Sequence, residues 1–167
     1  LKNRNLSLLS IFLSALIIKL ALFSFITDPI IFYKYPYFAE KISKGMDIGE
    51  RILDISPLYL YVSAIFYKVY GQNFEVLAIF QIFLGSLNCL LIYLIGERIF
   101  NRTVGVIGAT VLMLYGNLTL IELTLEPETF VIFLNSLIIL ALIAAKDGAN
   151  PRLGVWKWLA AGALIGL

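Results

Sequence analysis

Two carboxylates in this chain stand immediately before prolines, in Asp28-Pro29 and Glu126-Pro127. Proline pushes the residue before it out of the helical region, while proline itself suits the first position of a helix. Each acid is therefore expected at a helix break, free to point into a cleft instead of along a helix face. The same positions also suit a plainer role. Asp is a good N-cap, and an acid near a helix N-terminus is stabilised by about 0.3–1 kcal/mol through the macrodipole. Spacing alone leaves both readings open, and Glu122 and Glu128 are expected to be solvated or to face headgroups. The chain has no histidine, which excludes Ser-His-Asp triads, Cys-His pairs and HExxH zinc sites together. Any chemistry must use carboxylates, lysines, arginines or tyrosines. The single cysteine, Cys89, excludes a disulfide or a cysteine metal site within the chain.

The elements that position these acids follow from composition. Of 167 residues, 60% are hydrophobic and 14% charged, against about 45–50% and about 25% in an ordinary soluble domain. A water-soluble globule is excluded, because so apolar a chain would cover its exterior with Leu, Ile and Phe. The net charge of +2, from 13 basic and 11 acidic residues, gives no basic face for nucleic acid. A bilayer core of about 30 Å needs about 20 helical residues. Five apolar runs meet or approach this length: 6–26, 76–95, 104–121, 127–145 and 155–167. A sixth, Pro57 to Tyr70, has 14 residues and contains Lys68.

The positive-inside rule decides whether that sixth run crosses. If it does not, then Lys2 and Arg4, the turn with Arg98 and Arg102, and the loop with Lys146, Arg152 and Lys157 share one side. The segment from Glu122 to Glu128, with three acids and no base, takes the other. If the run crossed, both the basic turn and the acidic segment would change sides. The expected arrangement is thus an all-α, polytopic membrane bundle with a cytoplasmic N-terminus and a large external loop over 27–75. That loop exceeds the roughly 12–15 residues typical of connectors, and it is too aromatic for disorder. Interfacial helices are expected around Tyr37 to Ser43 and from Pro57 to Tyr70. The first run is longer than a signal peptide's and lacks a cleavage site, so it reads as a signal anchor.

Lys19 is the costly residue within a span. It lies about 12 Å below the boundary at Thr27, where a lysine is unfavourable by about 2.5–3.5 kcal/mol and is by default paired and functional, unless its stem snorkels to a surface. Its separation from Asp28 is about 2.5 helical turns, so the two do not share a face.

The first loop then becomes recognisable. The order Asp28, Tyr37-Phe38-Ala39 with Ile42 and Gly45, Ser56-Pro57-Leu58-Tyr59 and Tyr70-Gly71 resembles the first external loop of GT-C membrane glycosyltransferases. The closest group is the glycosyltransferase family 39 type, which includes protein O-mannosyltransferases and aminoarabinose transferases. Ile95-Gly96-Glu97-Arg98-Ile99-Phe100 with Val104-Gly105 resembles their basic cytoplasmic turn, and Leu125-Glu126-Pro127 their second acidic site. The chain departs from them at the first acidic site, where many members carry Asp-Glu and this one has Asp28-Pro29. A role normally shared there falls on Asp28 alone or on another group.

The resemblance implies that residues 1–167 are the N-terminal part of a membrane catalytic module. Such an enzyme moves a sugar from a polyprenyl-phosphate donor to a hydroxyl acceptor at the external face of the cell membrane. Asp28 would be the general base, and Glu126 would orient the acceptor or support a metal. Lys34, Lys41, Lys44 and Arg51 are available to the leaving phosphate, and Tyr37, Pro57 and Tyr59 complete the candidate substrate contacts. An interfacial aromatic belt is the alternative for Tyr33, Tyr35 and Tyr37. No cofactor is required by the resemblance, since a divalent metal serves some GT-C enzymes and not others. The competing classes are a noncatalytic membrane subunit and a transporter segment; the latter predicts internal repeats, of which the two halves show none.

Overall fold

A computed structural model describes residues 2–25, 34–49, 56–146 and 162, with side chains described from Leu6 onward. Among the described residues the chain is helical without strands. The helices are α1 (Lys2–Phe25), α2 (Lys34–Ser43), α3 (Pro57–Tyr70), α4 (Phe74–Ile99), α5 (Arg102–Leu114), α6 (Gly116–Leu123) and α7 (Glu128–Lys146). Within them α1, α4 and α7 are long and apolar enough to cross a membrane, and α5 with α6 passes the same test as one bent pair. The final expected run, 155–167, lies outside the described residues apart from Gly162.

Helix α4 is the centre of the bundle, packed against α1, α5 and α7. Of its most apolar stretch 56% is buried, against 11% for α1 and 17% for α7. Leu9, Leu13 and Ile17 on α1 and Ile107, Val111 and Leu114 on α5 point outward, which suits a lipid solvent and not water. The ends of α4 are set by local chemistry. The Asn73 side chain accepts from Glu75 N and Val76 N at its start, and Asn101 caps α5 through Val104 N at 3.0 Å. Between α4 and α5 the backbones come close at Gly96 and Gly105, the small-residue contact that membrane helices use for tight approach.

The two helices expected in the first loop both form. Helix α3, at 14 residues, is about 21 Å long and too short to span. Pro57 occupies its first turn, and Gly71, at φ 73°, ends it in a conformation that favours glycine and turns the chain straight into α4. Helices α2 and α3 pack together through Phe38, Ala39, Leu60, Ala64 and Tyr67, and this cluster continues into Leu77 and Ala78 of α4 and Leu125 beyond α6. Each fully buried leucine here is worth about 1.5–3 kcal/mol.

Side-chain contacts mark the two ends of the bundle. Arg102 Nη2 donates to Ser7 Oγ at 2.6 Å, joining the start of α1 to the α4–α5 turn. The first-loop helices and the α6–α7 turn meet at the opposite end. The sequence reads as one continuous run over 104–121, but the backbone bends there by 53°. Tyr115 leaves the helical region with φ −75° and ψ 87°, next to Gly116 and Asn117, both weak helix formers.

Candidate active site at the α6–α7 turn

The turn is built around Glu126-Pro127. Leu125 sits at φ 59°, a left-handed conformation that is unfavourable by about 1–2 kcal/mol for a residue with a Cβ. Burial and hydrogen bonding hold it there. Its side chain is buried in the first-loop cluster, and its carbonyl accepts from Tyr59 Oη at 2.9 Å. Gln81 Nε2 on α4 bridges the same region, donating to Tyr59 Oη at 2.6 Å and to the Glu126 carbonyl at 2.9 Å. Helix α7 then starts with Val131 N donating to Pro127 O. The chain direction at Glu126 is thus set by α3 and α4 together.

Tyr59 is 1% exposed and lies between two rings, edge-on to Tyr35 at 5.4 Å and tilted against Phe130 at 6.3 Å. Burial pushes its phenol well above the ordinary value, so the hydroxyl keeps its proton and remains a donor to Leu125. The Glu126 side chain is partly exposed. Burial, and then the neighbouring Glu128 carboxylate, push its pKa above the ordinary 4.5. A raised folded-state pKa means that Glu126 supports the fold fully at pH below 4.5, and that this support is lost as pH rises through the folded value. Glu126→Gln is therefore expected to raise thermal stability at pH 7, with the gain disappearing in acid; melts of wild type and variant at both pH values check it.

The other expected site residues are distributed as follows. Lys34 is exposed with Nζ 5.7 Å from the Tyr35 ring centroid, and Lys41 Nζ lies 4.5 Å over the Tyr37 ring. Lys44 pairs with Glu40 at 2.5 Å. Pro57 opens α3 on the surface. Asp28 and Arg51 lie outside the described residues. Of the first-loop candidates that are described, Tyr59 is the one hydrogen-bonded to the Glu126 turn. Glu126 and Glu128 interact with each other, and no group of three or more His, Cys, Asp or Glu suited to a metal forms among the described residues.

Glu122 corrects an expectation. It is 2% exposed and forms an ion pair with Lys19, itself 1% exposed, instead of facing solvent or headgroups. A lysine buried in one span offsets its desolvation by drawing in an acid from another. Gln81 was not singled out by sequence reasoning either. Its signal was present: Gln81, Gly85 and Asn88 recur at i, i+4 and i+7 in an otherwise apolar helix, which puts polar or small residues on one stripe.

Three helices and one bent pair long and apolar enough to cross a membrane, with an acidic turn locked against a folded first loop, define a helical membrane bundle with its polar site at one end. Residues 54–167 match the family model of dolichyl-phosphate-mannose-protein mannosyltransferase, and the chain belongs to that family. It is thereby a membrane glycosyltransferase of the GT-C type. The match takes in Tyr59, Gln81 and Glu126, whereas Asp28, Lys34, Tyr37, Lys41 and Arg51 precede it. Comparison with curated proteins and with solved structures gave no match.

Proposed function

We propose that the protein transfers a sugar from a polyprenyl-phosphate donor to a hydroxyl acceptor at the external membrane face, with Asp28 and Glu126 as its catalytic carboxylates. The observation that carries this reading is the Glu126 turn, where an acid-proline junction is held by Tyr59 from the first loop and by Gln81 from α4. Asp28 takes the proton of the acceptor hydroxyl as its oxygen attacks the anomeric carbon. The bond from that carbon to the phosphate oxygen breaks, and its electron pair leaves with the phosphate. Lys34, Lys41 and Arg51 offset the charge developing there, while Tyr37, Pro57 and Tyr59 shape the substrate site, Tyr59 through the turn it holds. Glu126 orients the acceptor. The side assignment is supported by the contact of Ser7 with Arg102, which gathers the N-terminus and the basic turn at the end remote from Glu126, the cytoplasmic end by the positive-inside rule.

The family description names a mannose donor on dolichyl phosphate, so polyprenyl-phosphate mannose is the first donor to test. In membranes holding the intact protein, Asp28→Asn and Glu126→Gln are each expected to lower transfer by about 10²–10⁴-fold, the usual contribution of a positioned acid or base. Unchanged transfer by Asp28→Asn removes its role as base, and unchanged transfer by both variants overturns the reading. Labelling of a cysteine at position 100 from the external side would reverse the orientation.

A further inference from the structure

A second polar cluster lies inside the bundle and takes no part in the chemistry above. Lys19 Nζ of α1 donates to Glu122 Oε1 of α6, with Thr119 Oγ1 at 3.5 Å. All three residues are at most 2% exposed. Glu122 Oε2 and Asn88 Oδ1 are buried without a partner. Both residues line a cavity of about 10 Å³, together with Lys19, Gly85 and Thr129. That space is close to what one water needs, and one water has two protons for two unpartnered acceptors. Gly85 makes the room, because a Cβ there would lie 1.9 Å from Glu122 Oε1.

The position of this pair in the chain matters more than its burial. Glu122 lies four residues before Glu126, near the end of a helix of 8 residues that has broken away from α5 by 53°. A helix this short has little packing surface to fix its direction. Lys19 belongs to α1, the helix that precedes Asp28-Pro29 in the sequence, so the pair ties the helix before one acid-proline junction to the helix before the other. Asn88 Nδ2 adds a weak bond to Thr129 O at 3.4 Å on the far side of the turn.

We infer that Lys19 and Glu122 are positioning residues for the Glu126 turn: the buried pair sets the direction of α6 and with it the place of the Glu126 carboxylate. This rests on the transferase reading for its effect on catalysis, but not for its effect on structure. Removing one charge alone leaves the other buried and unpaired and can prevent folding. The informative variants are therefore the apolar double, Lys19→Met with Glu122→Leu, and Gly85→Ala, which displaces the carboxylate without changing charge.

Two measurements on the intact protein in membranes test the inference. One is the maleimide labelling rate of Thr124→Cys, within the turn; the other is kcat and KM for transfer from polyprenyl-phosphate mannose. In both variants labelling is expected to quicken about 10-fold, and kcat to fall by about 10- to 100-fold with donor KM unchanged, the scale of a catalytic group misplaced by about 1 Å. A purely structural pair predicts that the apolar double, once folded, regains wild-type kcat and labelling, and that result overturns the inference. So does a fall in kcat without faster labelling. If the wild type transfers no sugar, the transferase reading fails and labelling alone decides between positioning and packing.

Discussion

Tyr59→Ala is expected to destabilise the protein by about 3–5 kcal/mol, the range for truncating a buried aromatic. The ring is enclosed by Tyr35 of α2 and Phe130 of α7, so truncation removes the packing that joins the first loop to the last described span. It also frees the Leu125 carbonyl and removes one of the two acceptors of Gln81 Nε2. Leu125 then loses the bond that helps hold it in the left-handed region. Tyr59→Phe separates the two contributions, because it keeps the ring and removes only the hydroxyl; a loss of about 1 kcal/mol is expected. Unfolding of the purified protein in detergent measures both. The explanation fails if the two variants are equally destabilised, or if Tyr59→Ala leaves protease sensitivity at the α6–α7 turn unchanged.

The second large effect is expected at Gly105. An added Cβ would lie 2.6 Å from the Tyr93 carbonyl oxygen and 3.0 Å from Glu97 N, both backbone atoms of α4. No side-chain rotation relieves that contact, so α4 and α5 must separate. Overpacking of this kind is unfavourable by about 1–3 kcal/mol and occasionally more, and here it also disturbs the seam that Gly96 shares. Gly108→Ala is the internal comparison, since its nearest neighbour is the Ile92 Cγ2 methyl at 3.3 Å, which can give way. Thermal unfolding should show Gly105→Ala clearly below wild type and Gly108→Ala close to it. Similar behaviour of the two glycines would mean that the α4–α5 contact is looser than its backbone distances indicate.

Much of the architecture was legible because a membrane imposes simple rules on a sequence. Apolar length located the helices that are long and apolar enough to cross a membrane, and the run over 57–70 forms a helix of 14 residues, too short to span. The two first-loop helices were legible from aromatic content and loop length. The acid-proline junction at Glu126 was legible from proline's effect on the preceding residue. What failed was the reading of single polar residues inside or beside apolar runs. Glu122 lies four residues before Glu126 and looks like part of the same acidic surface. Its burial follows from a partner 103 positions away, and hydropathy averaged along a chain carries no information about such a pairing.

The amino-acid sequence by itself determined the solvent, which helices are long and apolar enough to cross it, the end of the bundle at which bases gather, and the chemistry open to a chain without histidine. These depend on composition and on spacing within one element, where the physics is local. Only the tertiary structure decided that α5 and α6 bend apart, that Lys19 pairs directly with Glu122 in the room left by Gly85, and that Tyr59 and Gln81 hold the Glu126 turn. Each of these joins groups from different helices, and their energies depend on distance and burial after packing. The acid-proline junction marks where the chain must turn. The side chains of α1, α3 and α4 decide where that turn points.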